Sequence, residues 1–428
     1  MEANRLVLLC GAGLSIPPPS NLMSAVGVSR VCYDKYAPVA VLSPNLRDDV
    51  DLLSGHFYRT GEFESVFLGR LLPWNELVGE PNPGHAAIAD LLISGGVNAA
   101  LSANFDTMIE HWASEKKVAM RGALDGQEAL NFGDEVRPLV KFHGCLMRNR
   151  ERTLWTQAQL TEADVARRVE SCSAWMKLNL PGKDLLVVGF WTDWGYFNDV
   201  LATALETEPF GSVTVIDPSD GASLQSKAPT LWSRLTRAGI PFQHIRASGA
   251  DALEGLRAAY SRVWGKKFYG LARPLLEAEG RVFSPIGIDS LEAMECEALY
   301  DLRRDAEGVP YNRAARKKEP AAEAGEAAFA HLLLIEAGAT RQGAWYVLGG
   351  RTIRVVHGGG QAISTVKERY VEPPPLLQPD IVVCAGALDL GVPGRVIPGG
   401  SGRSVIRPAR GGGSHWVTLE QARIELGL

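Results

Sequence analysis

No two cysteines of this 428-residue chain form a Cys-x-x-Cys pair, although it holds six: Cys10, Cys32, Cys145, Cys172, Cys296 and Cys384. Their scatter excludes a disulfide framework and a four-cysteine zinc site, and fits reduced thiols. No segment approaches the ~20 apolar residues that a membrane-crossing helix needs. The run Leu6 to Leu9 behind Arg5 is too short for a signal peptide, and Pro17, Pro18 and Pro19 follow it closely. A cytoplasmic protein away from membranes is the expectation. Positive charge is not in excess either. Lys and Arg number 44 against 49 Asp and Glu, a net charge of -5. Any contact with nucleic acid must therefore come from a local patch. Internal repeats and long low-complexity tracts are missing as well.

What is present describes a globular protein: 46% hydrophobic and 22% charged residues, with length enough for two domains. Leu6-Val-Leu-Leu9 reads as a strand buried on both faces of a parallel sheet. It runs into Cys10-Gly11-Ala12-Gly13-Leu14-Ser15, where glycines allow a sharp turn and leave room for a phosphate. The triple proline after Ile16 makes an extended loop, with Ser20 expected to cap a helix starting near Asn21. Residues 30 to 80 read as an inserted helical subdomain. Pro81-Asn-Pro-Gly-His85 launches a helix that ends at Gly95-Gly96, and His85 reads as a structural residue at its start.

Four more apolar runs follow the same plan. Val97 to Leu101 ends in Ser102-Ala103-Asn104-Phe105-Asp106, and Leu139 to Phe142 ends in His143-Gly144. Asp184 to Val188 ends in Gly189-Phe190-Trp191, and Val213 to Ile216 ends in Asp217. Five strands closing on small or polar residues predict a doubly wound, Rossmann-like parallel α/β sheet over residues 1–265, with ligands at the carboxyl strand ends. Asp193 reads as a helix cap, Trp191 and Trp194 as packing residues, and Cys145 and Cys172 as buried thiols.

Residues 266–428 differ in kind. Helical stretches (Leu291 to Leu302 and the alanine-rich Ala321 to Ala337) precede short strands at Ala344 to Leu348, Thr352 to Val356 and Ile381 to Val383, which suggest a smaller α+β domain. From Leu390 to Leu419 there is no acidic residue, while Arg395, Arg403, Arg407 and Arg410 lie among glycines. That stretch reads as a solvated surface or a contact for nucleic acid or an acidic partner.

Taken in order, Gly11-Ala12-Gly13-Leu14-Ser15, Ser102-Ala103-Asn104-Phe105-Asp106 and Phe142-His143-Gly144 resemble the Sir2 family of NAD-consuming enzymes. The lead-in Pro-x-x-Gly-His85 also resembles that family, and the likeness spans roughly residues 5 to 220. The zinc ribbon of sirtuins is missing, Ile16-Pro17-Pro18-Pro19 replaces Gly-Ile-Pro-x-Phe-Arg, and Gly189-Phe190-Trp191 replaces Gly-Thr-Ser. These departures are similar to the Sir2-like NAD hydrolases of bacterial antiphage defence. The resemblance implies NAD as substrate, no metal, a regulatory or assembly domain at 266–428, and a homo-oligomer. It further implies an activating protein partner (Argonaute-, HerA- or phage-derived) or a small nucleotide.

For the chemistry, Asn104 suits a ribose hydroxyl or the attacking water, and His143, titrating near neutrality, suits a general base. The family pattern gives Asp106 the nicotinamide carboxamide. Gly11, Ala12, Gly13 and Ser15 take the pyrophosphate, Ser102 and Gly189 flank the cofactor, and Asp217 takes a ribose hydroxyl. A protein deacylase and a non-catalytic NAD or ADP-ribose sensor remain as alternatives, and Asn104 could simply cap a helix.

Overall fold

Short apolar runs that close on glycine or a polar residue become parallel strands in the computed structural model, which describes residues 4–132, 136–370, 378–388 and 413–428. The chain divides into two units. One is Met1–Ser114 with Val118–Leu256, and the other is Glu115–Lys117 with Arg257–Leu428.

The first unit is built on β1 (Leu6–Cys10), β2 (Ala99–Ser102), β3 (Leu139–Lys141), β4 (Asp184–Val188), β5 (Ser212–Ile216) and β6 (Phe242–Ile245). Their order is β3-β2-β1-β4-β5-β6 and every pairing is parallel. This is the doubly wound arrangement, with its switch point between β1 and β4. Valines, leucines and alanines of the strands fill a core with Phe197, Leu201, Leu231 and Trp175 from the covering helices. The expected five strands are joined by a sixth, β6. It alternates half-buried and exposed residues and includes Gln243 and His244, so no apolar run marks it.

Between β1 and β2 lies the helical insertion: Ala25–Tyr36, Val50–Arg59 and a π-helical segment Phe63–Leu71. Phe57, Phe63 and Phe67 pack there against Trp155. The first helix is capped by Ser24, whose oxygen accepts from Gly27 N at 3.1 Å. Ser20, the expected cap, instead donates to Glu80 O at 2.7 Å. Asn21 with φ of 50° breaks the chain direction between them.

The second unit holds a mixed sheet of β7 (Thr340–Gln342), β8 (Trp345–Leu348), β9 (Arg351–His357), β10 (Ile381–Ala385) and β11 (His415–Thr418), in the order β11-β10-β9-β8-β7. β7, β8 and β9 form an antiparallel meander, and β10 and β11 add in parallel. Ile353, Val355 and Val383 face the alanine-rich helix Gly325–Glu336, while Val356, Val382 and Cys384 face the helix Ile363–Arg369. Asp305 is buried between Arg304 and Arg354, which both hydrogen-bond its carboxylate. Arg395, Arg403, Arg407 and Arg410 lie outside the described residues. Among the described residues no helix is long and apolar enough to cross a membrane.

Candidate active site

The turn after β1 is shaped by contact with the turn after β4. Gly11 N donates to Val188 O at 3.1 Å and Gly13 N to Gly189 O at 3.0 Å, while Leu14 N closes on Gly11 O at 2.9 Å. A Cβ on Gly11 would lie 2.8 Å from Gly189 O, and one on Gly13 would lie 2.8 Å from Gly189 Cα. Gly189 itself has φ of +61°, which favours glycine. These glycines are therefore required by backbone-to-backbone packing, and two of the N–H groups expected to face a phosphate, those of Gly11 and Gly13, are committed inside the protein. Ala12 is the exposed residue of the turn.

Strand register brings the next residues to the same edge. Cys10, Ser102 and Lys141 stand in one row across β1, β2 and β3. Asn104 and His143 each lie two residues past that row. Ser102 Oγ accepts from Asn104 N at 3.1 Å, which sets the bend of the chain. The Asn104 amide nitrogen then donates to Gly11 O at 3.1 Å and to Ser15 Oγ at 3.2 Å. With the nitrogen so placed, Oδ1 is the atom left without a partner among the described residues.

Ser15 is the hub of this buried network. Its hydroxyl donates to Asp106 Oδ2 at 3.0 Å and meets His85 Nε2 at 3.1 Å. His85 Nδ1 accepts from Asn82 N at 3.2 Å, so Nε2 carries the proton and donates to Ser15. Burial holds His85 below its ordinary range against the pull of Asp106, which keeps it neutral. Asp106 Oδ1 accepts from Met108 N at 3.3 Å. His85 thus caps the helix Pro83–Ile93, as its position implied, and also orients Ser15. The Asn-x-x-His spacing of a capping box is the sequence signal for it.

A residue without a forewarning in the sequence is Lys141, buried inside a strand read as apolar. Its ammonium donates to Asp106 O and pairs with Glu110 at 3.1 Å. Burial presses its pKa down, but Glu110, Cys145 and Asp106 together hold it above the ordinary value. It ties the loop carrying Asp106 to β3.

His143 belongs to a different cluster at the same sheet end. Nε2 is 2.8 Å from Tyr196 OH, and the ring stacks on Trp194 with centroids 4.7 Å apart. No hydrogen bond joins it to Asn104 among the described residues. Burial, with the charge of Arg168, pushes its pKa from 6.5 to about 3. The expectation of a group titrating near neutrality is corrected: the imidazole is neutral because it is desolvated beside a cation.

Of the remaining residues, Asp217 at the end of β5 turns its Oδ1 to Ser219 N at 2.8 Å and is joined to none of the others. Trp191 donates to Leu224 O at 2.7 Å and packs, as read. Asp193 caps, but across the fold: its carboxylate accepts from Thr230 N and Leu231 N at the start of the helix Pro229–Leu235. Among the described residues, no group of three metal-ligand side chains includes a cysteine.

No family model matches the chain, and neither does any curated protein. Among solved structures, a Sir2 enzyme described for the mechanism and regulation of Sir2 enzymes aligns at TM-score 0.32 and 14% identity. It covers 59% of this chain and 90% of its own. A Sir2 homologue mutant in complex with ADP-ribose aligns at TM-score 0.32 and 16% identity, covering 59% and 89%. Sir2 with a p53 peptide and NAD+ aligns at TM-score 0.32 and 12% identity, covering 60% and 92%. At these TM-scores and identities the likeness carries no argument. The strand order and the site stand on this chain's own residues.

Proposed function

We propose that the first unit is a Sir2-like NAD glycohydrolase, which cleaves the nicotinamide–ribose bond to nicotinamide and ADP-ribose. The observation that carries this reading is the fixed amide of Asn104, held by Gly11 and Ser15 beside Asp106 at the carboxyl ends of β1 and β2. Its free Oδ1 can accept a hydrogen bond from a ribose hydroxyl or from the attacking water and so orient it. The bond breaks through an oxocarbenium-like state, so orientation of ribose and water is the main task of the site. His143 supplies a neutral imidazole one strand away, and Asp106 a carboxylate for the nicotinamide carboxamide. The turn at Ala12 and Ser15 takes the pyrophosphate, and Asp217 the adenosine ribose.

On the same reading the second unit is a regulatory or assembly domain, and the enzyme is an antiphage effector that depletes NAD once a protein partner or small nucleotide engages it. A homo-oligomer fits that role. Incubating the purified protein with NAD and following nicotinamide release tests the activity. Release that disappears in Asn104→Ala supports the hydrolase. Tight NAD binding without release identifies a sensor module, and turnover that requires an acylated peptide identifies a deacylase.

A further inference from the structure

The guanidinium of Arg168, on the helix Ala163–Asn179, is buried with Nε, Nη1 and Nη2 all lacking a hydrogen-bond acceptor. Among the described residues no other guanidinium has all three nitrogens in that state. A buried cation without a partner is costly, because its hydration is lost and nothing replaces it. Of the two acids on the same helix, Asp164 is taken by Arg152 at 3.0 Å and Arg167 at 3.7 Å, and the exposed Glu170, two residues from Arg168, does not share its face of the helix. Asn149 Oδ1, beside the guanidinium, already accepts from Cys145 N at 2.8 Å.

The surroundings are shaped around the group. Gly144 has φ of +100°, and a Cβ there would lie 2.8 Å from Arg168 Nη1. Tyr196, bonded to His143, and the thiol of Cys172 complete the neighbourhood. All of these groups are neutral: burial drives the Tyr196 phenol well above its usual range and Cys172 up to about 12. Among the described residues no anion pairs with Arg168.

We infer that Arg168 is the seat of a phosphate group bound beside His143 and Tyr196. A planar fork of five N–H donors matches an anionic oxygen cluster, and the tetrahedral oxygens of a phosphate offer acceptors in more directions than the two coplanar oxygens of a carboxylate. The phosphate could be free or part of an ADP-ribose moiety, and the chemistry at Arg168 is the same. An occupied seat also cancels the charge that helps to hold His143 neutral. The inference stands on burial and missing acceptors, so it does not require the hydrolase reading to hold.

The test is thermal unfolding of the full chain with inorganic phosphate, and separately with ADP-ribose, at constant ionic strength set with chloride. Wild type should rise by roughly 3 °C at ten times the dissociation constant of whichever ligand fills the seat. Arg168→Met should lose that rise and, without ligand, unfold no earlier than wild type, since it removes an uncompensated charge. Arg168→Lys, which keeps the charge, should retain a weakened response, and it preserves the test if the methionine variant does not fold. A shift with phosphate that depends on Arg168 identifies a free anion. One seen only with ADP-ribose identifies the nucleotide. Equal responses in wild type and both variants, or none in wild type, overturn the seat. Because no turnover is read, failure here is distinguishable from failure of the proposed hydrolysis.

Discussion

At Ser15 one hydroxyl decides the geometry of three side chains, since it accepts from Asn104 and from His85 and donates to Asp106. Ser15→Ala leaves the Asn104 amide and the His85 Nε2–H each short of an acceptor, and frees Asp106 to turn. We expect NAD consumption to fall about 100-fold or more, close to the about 100- to 10,000-fold loss for a group in direct contact with the reaction. Asn104→Ala should abolish it with the same unfolding midpoint as wild type. Normal turnover by a folded Asn104→Ala protein would sink the Sir2-like reading. The histidines make a separate prediction through linkage. His143 and His331 are both pushed from 6.5 to about 3, by burial and by Arg168 and Arg341 respectively. Between those values the unfolded chain binds the extra protons, so stability rises with pH over that window and is lost as pH falls through it. His331→Gln, which keeps a polar group near Tyr346, should flatten the slope of unfolding free energy between pH 4 and 6 by about 1.4 kcal/mol per pH unit. Urea titrations across that range measure it, and an unchanged slope shows that His331 is protonated in the fold.

At the scale of elements, the turn after β1 and the turn after β4 are one interlocked feature. Gly13→Ala puts a methyl 2.8 Å from the Gly189 backbone, which cannot swing aside as a side chain can. The expected loss is about 1–3 kcal/mol, read from the urea midpoint. Gly255→Ala is the contrasting control, because nothing lies within 4 Å of its Cβ inside the helix Gly249–Gly270. It should gain about 0.5–1 kcal/mol. The contrast also shows what the sequence could tell. Strands β1 to β5 were legible because apolar runs end on glycine or polar punctuation, and Asn104 and Asp106 followed from lying at such an end. β6 was not, since an edge strand half in water needs no apolar run. Lys141 was hidden because its ion pair with Glu110 comes from another element. The purpose of Gly11 and Gly13 was legible only as freedom of turn, because the backbone they accommodate lies at Gly189, far along the chain. Arg168 gave no signal, since missing acceptors are a property of three-dimensional surroundings alone.

At the scale of the whole molecule, the helix Gly249–Gly270 serves both units. Ala250 and Leu253 are buried near its start, in the first unit, while Trp264, Phe268 and Tyr269 belong to the core of the second with Leu276, Leu291 and Leu332. A truncation to residues 1–270 keeps the helix whole but strips the partners from three aromatic rings that are almost wholly buried in the full chain. Each ring side chain represents roughly 150–250 Å² of surface. Together that reaches or exceeds the largest apolar patch of an ordinary monomer, roughly 300–600 Å². Truncation to 1–256 removes all three rings and retains Ala250 and Leu253. We expect the shorter piece to be monomeric by light scattering and to unfold cooperatively. The longer one should bind an apolar dye and self-associate, although it has more native sequence. On the proposed function, the 1–256 piece should also hydrolyse NAD at a basal rate different from the full chain, because the regulatory unit is gone. A rate identical to that of the full chain, with identical response to any activator, removes the second unit from control. A well-behaved 1–270 beside an aggregating 1–256 shows instead that the aromatic end of this helix folds with the first unit.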